Sequence, residues 1–213
     1  MAVKPVKLVF FDLGNVLVYV HVGRFYAGMA HITNIPEQQV IEMLKDRTSA
    51  IVDFNCGRLS AREFYKIVCK DFAHVTMDQF RAIYTDIFSL NNETIQLAQA
   101  LKQHVRISII SNTDELHFEY ICKQYPSIQM FKDPILSYQI HAVKPNPEIY
   151  TQALRQVNLP AQECIFIDDL PENIHAANKI GMHGIVYTTT KELLHQLNNY
   201  NLPIKHSNVI GGF

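Results

Sequence analysis

Residues 7–20, KLVFFDLGNVLVYV, begin with an apolar run and place an aspartate, a glycine and an asparagine where that run ends. A short apolar run of this kind is typical of a strand that is buried on both faces of a sheet. Asp12 follows the run directly and has no obvious partner nearby in the sequence. The stretch therefore predicts a buried first strand that delivers a carboxylate to one edge of a sheet.

The composition narrows the class of protein and its partners. The chain has 213 residues and a formal net charge of -1, without a basic stripe that would attract nucleic acid. No apolar run approaches the roughly 20 residues that span a bilayer. We expect no nucleic acid, no membrane and no obligate protein partner; a small molecule is the expected ligand. Four widely spaced cysteines and no recognisable signal-peptide cleavage site predict reduced thiols and a cytoplasmic protein.

The order of predicted elements indicates an α/β fold. Residues 36–90 have the apolar spacing of helices only, with capping boxes at Ser60 and Thr76. From residue 91 onward, short apolar strands, among them PILSYQI at 134–140, alternate with amphipathic helices. This alternation predicts a Rossmann-like parallel sheet flanked by helices.

The same pattern predicts two domains. Residues 1–17 and 91–213 are expected to form the α/β catalytic core, and residues 18–90 an all-helical cap inserted after the first strand. In an open parallel sheet, ligands bind outside the carboxyl ends of the strands. The residues after the predicted strands therefore indicate the site.

Candidate site residues follow four of the predicted strands. They are Asp12, Gly14 and Asn15; Ser111 and Asn112; Lys144; and Asp168 and Asp169. Carboxylates brought together repel each other unless a cation lies between them, and oxygen ligands select a hard ion such as Mg²⁺. A lysine and a hydroxyl beside that ion suit an anionic substrate, most simply a phosphate.

Four segments resemble, in order, the signature motifs of the haloacid dehalogenase-like hydrolase superfamily. They are FFDLGNVL (10–17), ISIISNT (107–113), VKPNPEIY (143–150) and IFIDDLPENIHAANKIGM (165–182). The helical insert is similar to the small helical cap of the subfamily that includes sugar-phosphate phosphatases and the N-terminal phosphatase domain of epoxide hydrolases. The motifs resemble most closely those of members acting on glucose 1-phosphate.

The resemblance implies a magnesium-dependent phosphatase that acts on a small phosphorylated metabolite, most simply a sugar phosphate. Asp12 is the expected nucleophile, which forms an aspartyl-phosphate and so divides one hard hydrolysis into two easier steps. The resemblance places Mg²⁺ on Asp12, the backbone carbonyl of Gly14 and Asp169. Asp168 is expected either to bind the ion through water or to orient Lys144.

The resemblance also implies how the phosphate is held. Ser111 and the backbone N–H of Asn112 are expected to bind the phosphoryl oxygens, and Lys144 to balance their charge. Further candidates for substrate binding are Asn15, His21 and Arg24. His21 is more often expected, on general histidine behaviour, to be a flap residue that faces solvent or has a structural partner, and Arg24 could equally be a surface residue on the first cap helix.

Gly14 departs from the family pattern. Family members that hydrolyse phosphates commonly carry a second aspartate at this position, which protonates the leaving oxygen and then activates water. Such acid–base help contributes about 100- to 10,000-fold to a rate. We expect a substrate with a good leaving group, a substitute acid such as His21 or Tyr19, or weak activity.

Two alternatives to the phosphatase remain open in the sequence. A 2-haloacid dehalogenase attacks carbon with the same aspartate, without a metal and without the second aspartate, but it has no use for Asp168 and Asp169 together. A catalytically weak phosphate-binding module would keep the pocket and lose turnover with the missing acid.

Overall fold

A five-stranded parallel sheet forms the centre of the molecule, in a computed structural model that describes residues 5–200 and Leu202. The end of the predicted core, residues 203–213, lies outside the described residues. The strand order in this sheet is β5-β4-β1-β6-β7, and β2 pairs with β3 apart from it. The α/β prediction is confirmed. The strands are β1 (Leu8–Phe11), β2 (Val18–Val20), β3 (Phe88–Leu90), β4 (Arg106–Ser111), β5 (Ile135–Leu136), β6 (Cys164–Asp168) and β7 (His183–Val186).

The first strand occupies the middle of the sheet. Phe11 at its end lies opposite Ile109 of β4 and Ile167 of β6, and both pairings are parallel. Alternate β1 side chains enter two different hydrophobic clusters, Phe11 on one face and Phe10 on the other. This explains why the run is apolar throughout, since a strand covered on both faces buries every side chain. The register brings the ends of β1, β4 and β6 to one edge.

Helices cover both faces of the sheet. The helices are α1 (Val22–Thr33), α2 (Glu37–Leu44), α3 (Thr48–Asn55), α4 (Ala61–Val68), α5 (Met77–Thr85), α6 (Asn92–Leu101), α7 (Glu115–Gln124), α8 (Ser137–Ile140), α9 (Pro147–Val157), α10 (Pro171–Ile180) and α11 (Thr190–Leu197). Apolar side chains of α6, α7 and α11 pack on one face, and those of α9 and α10 on the other. Within the described part of the chain, no helix is both long and apolar enough to cross a membrane.

Helices α1–α5 share a hydrophobic cluster, which also includes Leu116 of α7. Its centre is aromatic: the rings of Phe54 and Phe64 stack at 4.4 Å, and those of Phe80 and Tyr84 at 5.2 Å. The two predicted capping boxes are present, at Ser60 before α4 and at Thr76 before α5. A separate cluster in this block fits the predicted division into core and cap, which stays a prediction.

Two elements differ from the sequence predictions. Helices alone were predicted over 36–90, and this is wrong at Phe88–Leu90, which pairs antiparallel with Val18–Val20. The predicted strand at 134–140 is wrong beyond Leu136, because Ser137–Ile140 is helical. The hydroxyl of Ser137 donates a hydrogen bond to the carbonyl of Asn55 at 2.6 Å. These residues are far apart in the sequence, so a local apolar pattern cannot reveal the contact.

Candidate active site

Lys144 connects two carboxylates at the carboxyl ends of the strands. Its Nζ lies 2.7 Å from Asp12 Oδ1 and 2.6 Å from Asp168 Oδ2, and all three residues are buried. Asn112 fixes the lysine backbone, accepting from its N–H at 2.7 Å and donating to its carbonyl at 2.9 Å. The β4 loop therefore positions the loop that carries Lys144.

Asp12 continues the line of β1 into the site. Its N–H donates to the carbonyl of Ile167 at 2.7 Å, and its Oδ1 accepts from the N–H of Leu13 at 2.6 Å. Burial raises the pKa of the Asp12 carboxyl to about 7; the ammonium of Lys144 opposes this shift and the carboxylate of Asp168 adds to it. A further positive charge near this buried carboxyl group would stabilise its ionised form.

Three carboxylates converge at this edge. One oxygen from each of Asp12, Asp168 and Asp169 lies within 4.8 Å of the others. Asp168 is held by the N–H of Leu170 and the amide of Asn173, both at 2.9 Å. When all three carboxylates are ionised, Lys144 supplies one positive charge against three negative charges. Clustered carboxylate oxygens with excess negative charge are suited to a hard divalent cation.

Asp169 is the more accessible acid of the pair that follows β6. Its Oδ2 accepts from the side-chain amide of Asn15 at 3.3 Å. Burial and the neighbouring carboxylate of Asp168 raise the pKa of Asp169. Its charged form therefore lacks a full counter-charge in the protein alone.

The turn after Asp12 is tightly closed. The N–H of Asn15 donates to the carbonyl of Val18 at 2.6 Å, and the N–H of Val18 donates to the carbonyl of Leu13 at 2.9 Å. Asn15 has φ of 55°, a left-handed conformation that asparagine adopts more readily than most residues. The turn keeps Gly14 and Asn15 beside Asp12 and starts β2.

Two predicted residues, His21 and Arg24, contact β3. His21 Nε2 is 2.7 Å from the hydroxyl of Ser89, and Arg24 Nη1 donates to the carbonyl of Phe88 at 3.4 Å. Both side chains thus connect the start of α1 to β3. The structure brings together Asp12, Gly14, Asn15, Ser111, Asn112, Lys144, Asp168 and Asp169 at the strand ends.

A cavity of about 240 Å³ lies between the strand ends and helices α1–α5. On the side of the sheet it is lined by Leu13 and Gly14 and by the loop Ser111, Asn112 and Thr113. Sequence reasoning did not find the opposite wall, because its helical residues have the spacing of ordinary core positions. His117 of α7 was also missed as a lining residue, for the same reason.

Residues 6–181 match the model of a known family, described as haloacid dehalogenase-like hydrolase. This range includes Asp12, Ser111, Lys144 and Asp169. The chain belongs to the haloacid dehalogenase-like hydrolase family. The family assignment predicted from the four motifs is therefore confirmed, and the chain is a hydrolase by class.

Two proteins are similar in sequence to this haloacid dehalogenase-like hydrolase. A D-ribitol-5-phosphate phosphatase of Bacteroides thetaiotaomicron is 24% identical over 188 residues, which are 83% of this chain and 89% of that protein. Drimenol cyclase drtB of Aspergillus calidoustus is 23% identical over 205 residues, 91% of this chain. The chain spans only 36% of the length of the cyclase.

A solved structure shares the fold. It is that of a HAD family enzyme from Bacteroides thetaiotaomicron in complex with magnesium and inorganic phosphate, with a TM-score of 0.75 and 23% identity. The alignment covers 86% of this chain and 94% of that chain. The likeness confirms the α/β architecture of the chain.

Proposed function

We propose that this chain is a magnesium-dependent phosphatase that hydrolyses a small phosphate monoester through an aspartyl-phosphate on Asp12. One observation carries the proposal: the buried carboxylate of Asp12 lies 2.7 Å from Lys144 and within 4.8 Å of two further carboxylates. This arrangement supplies a nucleophile, a fixed positive charge and ligands for a cation in one place. The phosphatase among the relatives and the magnesium and phosphate in the similar structure support it.

The reaction proceeds in two displacements at phosphorus. A carboxylate oxygen of Asp12 attacks phosphorus, the bond from phosphorus to the ester oxygen breaks, and the alcohol leaves after taking a proton from solvent or from a nearby acid. Water then attacks the aspartyl-phosphate, loses a proton, and releases inorganic phosphate with Asp12 regenerated. Lys144 holds Asp12 in position and balances charge on the phosphoryl oxygens.

The proposed ligands of Mg²⁺ are Asp12, Asp169 and the backbone carbonyl of Gly14. The ion supplies positive charge that offsets the developing charge of the phosphoryl group. Asp168 is held by Lys144, Leu170 and Asn173 and is therefore proposed to orient the lysine.

The phosphoryl oxygens are proposed to bind to Ser111 and to the backbone N–H of Asn112. His21 and Arg24 are left out of the proposed substrate site, because neither residue lines the cavity. Solvent or a group of the substrate, rather than His21, is therefore proposed to donate the proton that the missing aspartate at position 14 would supply.

The wider proposal follows the sequence predictions. The ligand is a small phosphorylated metabolite, with no nucleic acid, membrane or obligate protein partner, and the location is cytoplasmic. A sugar phosphate is the substrate that the motifs predict, and a polyol phosphate is named for one relative. Residues 18–90 are proposed to act as the cap over the strand ends. Asp169 favours this function over a 2-haloacid dehalogenase, which needs no metal ligands.

The test measures phosphate release from a panel of phosphate monoesters with Mg²⁺ and with EDTA, for the native protein and Asp12→Asn. We expect release that requires Mg²⁺ and disappears in the variant. Halide release from a 2-haloacid in EDTA would instead establish a dehalogenase. Tight binding of orthovanadate without turnover of any ester would establish a phosphate-binding module.

A further inference from the structure

We infer that the organic group of the substrate is compact and apolar, a hydrocarbon ring or short branched chain, rather than a sugar. The inference rests on the proposed phosphatase function and adds the class of substrate. It is carried by the chemistry of the cavity wall that faces Leu13, Gly14 and Ser111.

The wall contributed by the helices is mostly aliphatic and aromatic. Its side chains come from α1 to α5, from α7, from β2, and from the start of β3 with the residue before it. The apolar and aromatic members are Val20, Val22, Phe25, Tyr26, Leu44, Ile51, Phe64, Val68, Tyr84, Ile87, Phe88 and Ile121. The transfer of an apolar alcohol group from water to this surface is favourable, because the free energy of apolar burial is proportional to the area buried.

Arg47 is the charged side chain of the helical wall, and its guanidinium is already committed. It donates to the carbonyl of Ile67 at 2.7 Å and to that of Val68, and it pairs with the carboxylate of Asp71. These contacts complete the end of α4, where carbonyls lack partners within the helix. Its aliphatic stem is the part left to face the cavity.

The polar atoms of Tyr84 and His117 are committed to one another and to Asp114. The Tyr84 hydroxyl donates to Asp114 Oδ2 at 2.9 Å, and His117 Nδ1 lies 2.8 Å from the same carboxylate. His117 Nε2 lies 2.9 Å from the carbonyl of Tyr84. The polar atoms of both side chains are therefore bound within the fold, and their rings, which stack on each other at 4.0 Å, line the cavity.

A sugar would bind poorly against such a wall. Tyr26 and Asn55 remain as polar side chains on the helical side, beside the loop residues Ser111, Asn112 and Thr113. The loop groups are needed for phosphate, and the Asn112 amide is held by Lys144. Each sugar hydroxyl buried without a partner reduces affinity by about 5- to 100-fold.

The cavity lining is also apolar at exposed positions, where a polar side chain would stay hydrated and would not reduce the stability of the fold. Val22 is 50% exposed and Ile51 is 43% exposed, and both line it. Val52, the next residue on α3, is 46% exposed and does not line it. A volume of about 240 Å³ is below the usual range of about 300–1,000 Å³ for ligand pockets, which favours a compact group.

The first test compares esters whose leaving groups are all primary alkoxides. Benzyl phosphate and cyclohexylmethyl phosphate represent apolar groups; ribitol 5-phosphate and glucose 6-phosphate represent sugars. We expect kcat/KM about 10- to 100-fold higher for the apolar esters with Mg²⁺. Equal or higher values for the sugar esters would overturn the inference and leave the phosphatase function intact.

A matched pair of variants on α3 links this preference to the cavity. Ile51→Asp is expected to lower kcat/KM for benzyl phosphate about 10-fold more than kcat/KM for acetyl phosphate, whose organic group is small. Val52→Asp introduces the same charge one residue away and should change neither substrate. An equal effect of both substitutions on benzyl phosphate would contradict a role for the cavity.

Calorimetry separates this inference from turnover. Benzylphosphonate and 2,3-dihydroxypropylphosphonate have carbon–phosphorus bonds that a phosphatase does not hydrolyse. We expect the benzyl compound to bind at least about 10-fold more tightly, and Ile51→Asp to remove that advantage. Equal binding would overturn the inference. Absence of phosphate release from every ester would overturn the proposed function, while this binding result would still decide the apolar preference.

Discussion

The ammonium group of Lys144 lies 2.7 Å from the carboxylate of Asp12, at the buried end of the central strand. The same ammonium lies 2.6 Å from Asp168, so one cation is shared by two acids. Asp169 lies beside them and accepts a hydrogen bond from the neutral amide of Asn15; within residues 5–200 and Leu202 it forms no salt bridge. The site therefore has one region in which Lys144 pairs with Asp12 and Asp168, and a second region in which the charge of Asp169 is not balanced by a cation of the described residues.

Lys144→Met should destabilise the protein as well as stop catalysis. Removal of one partner leaves Asp12 and Asp168 buried and unpaired, which typically costs about 3–5 kcal/mol. Urea denaturation in EDTA measures this loss apart from activity. Lys7→Met is the matched control: Lys7 and Glu163 are paired at 2.8 Å but the lysine is exposed, so about 0–1 kcal/mol is expected. Equal losses for the two variants would contradict this account of the site.

Asp169→Asn should remove the thermal stabilisation that Mg²⁺ provides. A ligand that binds only the folded state raises the melting temperature according to its concentration relative to its Kd. The native protein is expected to melt higher with 10-fold increases of Mg²⁺, and the variant is not. Glu172→Gln removes an exposed acid that is outside the carboxylate cluster, and it should retain the Mg²⁺ response. A retained response in Asp169→Asn would exclude this acid as a ligand.

The metal-free protein should lose stability as pH rises from about 4 to about 7. The pKa of Asp12 is raised from its ordinary 3.8 to about 7, so the folded state holds a proton that the unfolded chain releases in this window. Proton binding by the folded state favours folding at lower pH, and the benefit is lost once Asp12 ionises. Denaturation in EDTA across this range measures the slope. Asp12→Asn should flatten it; an unchanged slope would show that other groups cause it.

Gly14→Asp should speed hydrolysis of esters with poor leaving groups. A Cβ at Gly14 would lie 3.3 Å from Val20 Cγ2, a tight contact that a small movement of the valine side chain relieves. The new carboxyl can protonate a departing alkoxide, so we expect at least about 10-fold higher kcat for alkyl esters and little change for nitrophenyl phosphate. Gly14→Ala controls for the side chain itself. A gain equal for both ester types, or equal in the alanine variant, would rule out acid catalysis.

Tyr84→Phe should destabilise the contact between the helical block and α7. Its hydroxyl donates to the fully buried carboxylate of Asp114, and loss of a donor to a buried acceptor costs about 1–3 kcal/mol. Tyr120→Phe removes an exposed hydrogen bond to Asp86 and should cost no more than about 0.5 kcal/mol. Guanidinium denaturation compares the two. A cost for Tyr84→Phe as small as that for Tyr120→Phe would disprove the importance of this bond.

Local pattern was sufficient for much of the chain. The continuous apolar run of β1 indicated burial on two faces, and the capping boxes at Ser60 and Thr76 marked helix starts correctly. The pattern failed at Phe88–Leu90, whose strand depends on pairing with Val18–Val20. It failed again at Ser137, where hydrogen bonds to Asn55 and Thr113 accompany a change from strand to helix.

The sequence by itself determined which functional groups follow the strands: an acid after β1, a hydroxyl at the end of β4, then a lysine, and finally two acids at the end of β6. Because parallel strands end at one edge, these residues had to converge. Only the tertiary structure decided that Lys144 bridges Asp12 and Asp168, that His21 and Arg24 contact β3, and that an apolar cavity adjoins the site. Periodicity shows which face of a helix is apolar. It does not show whether that face packs against protein or is left open for a ligand.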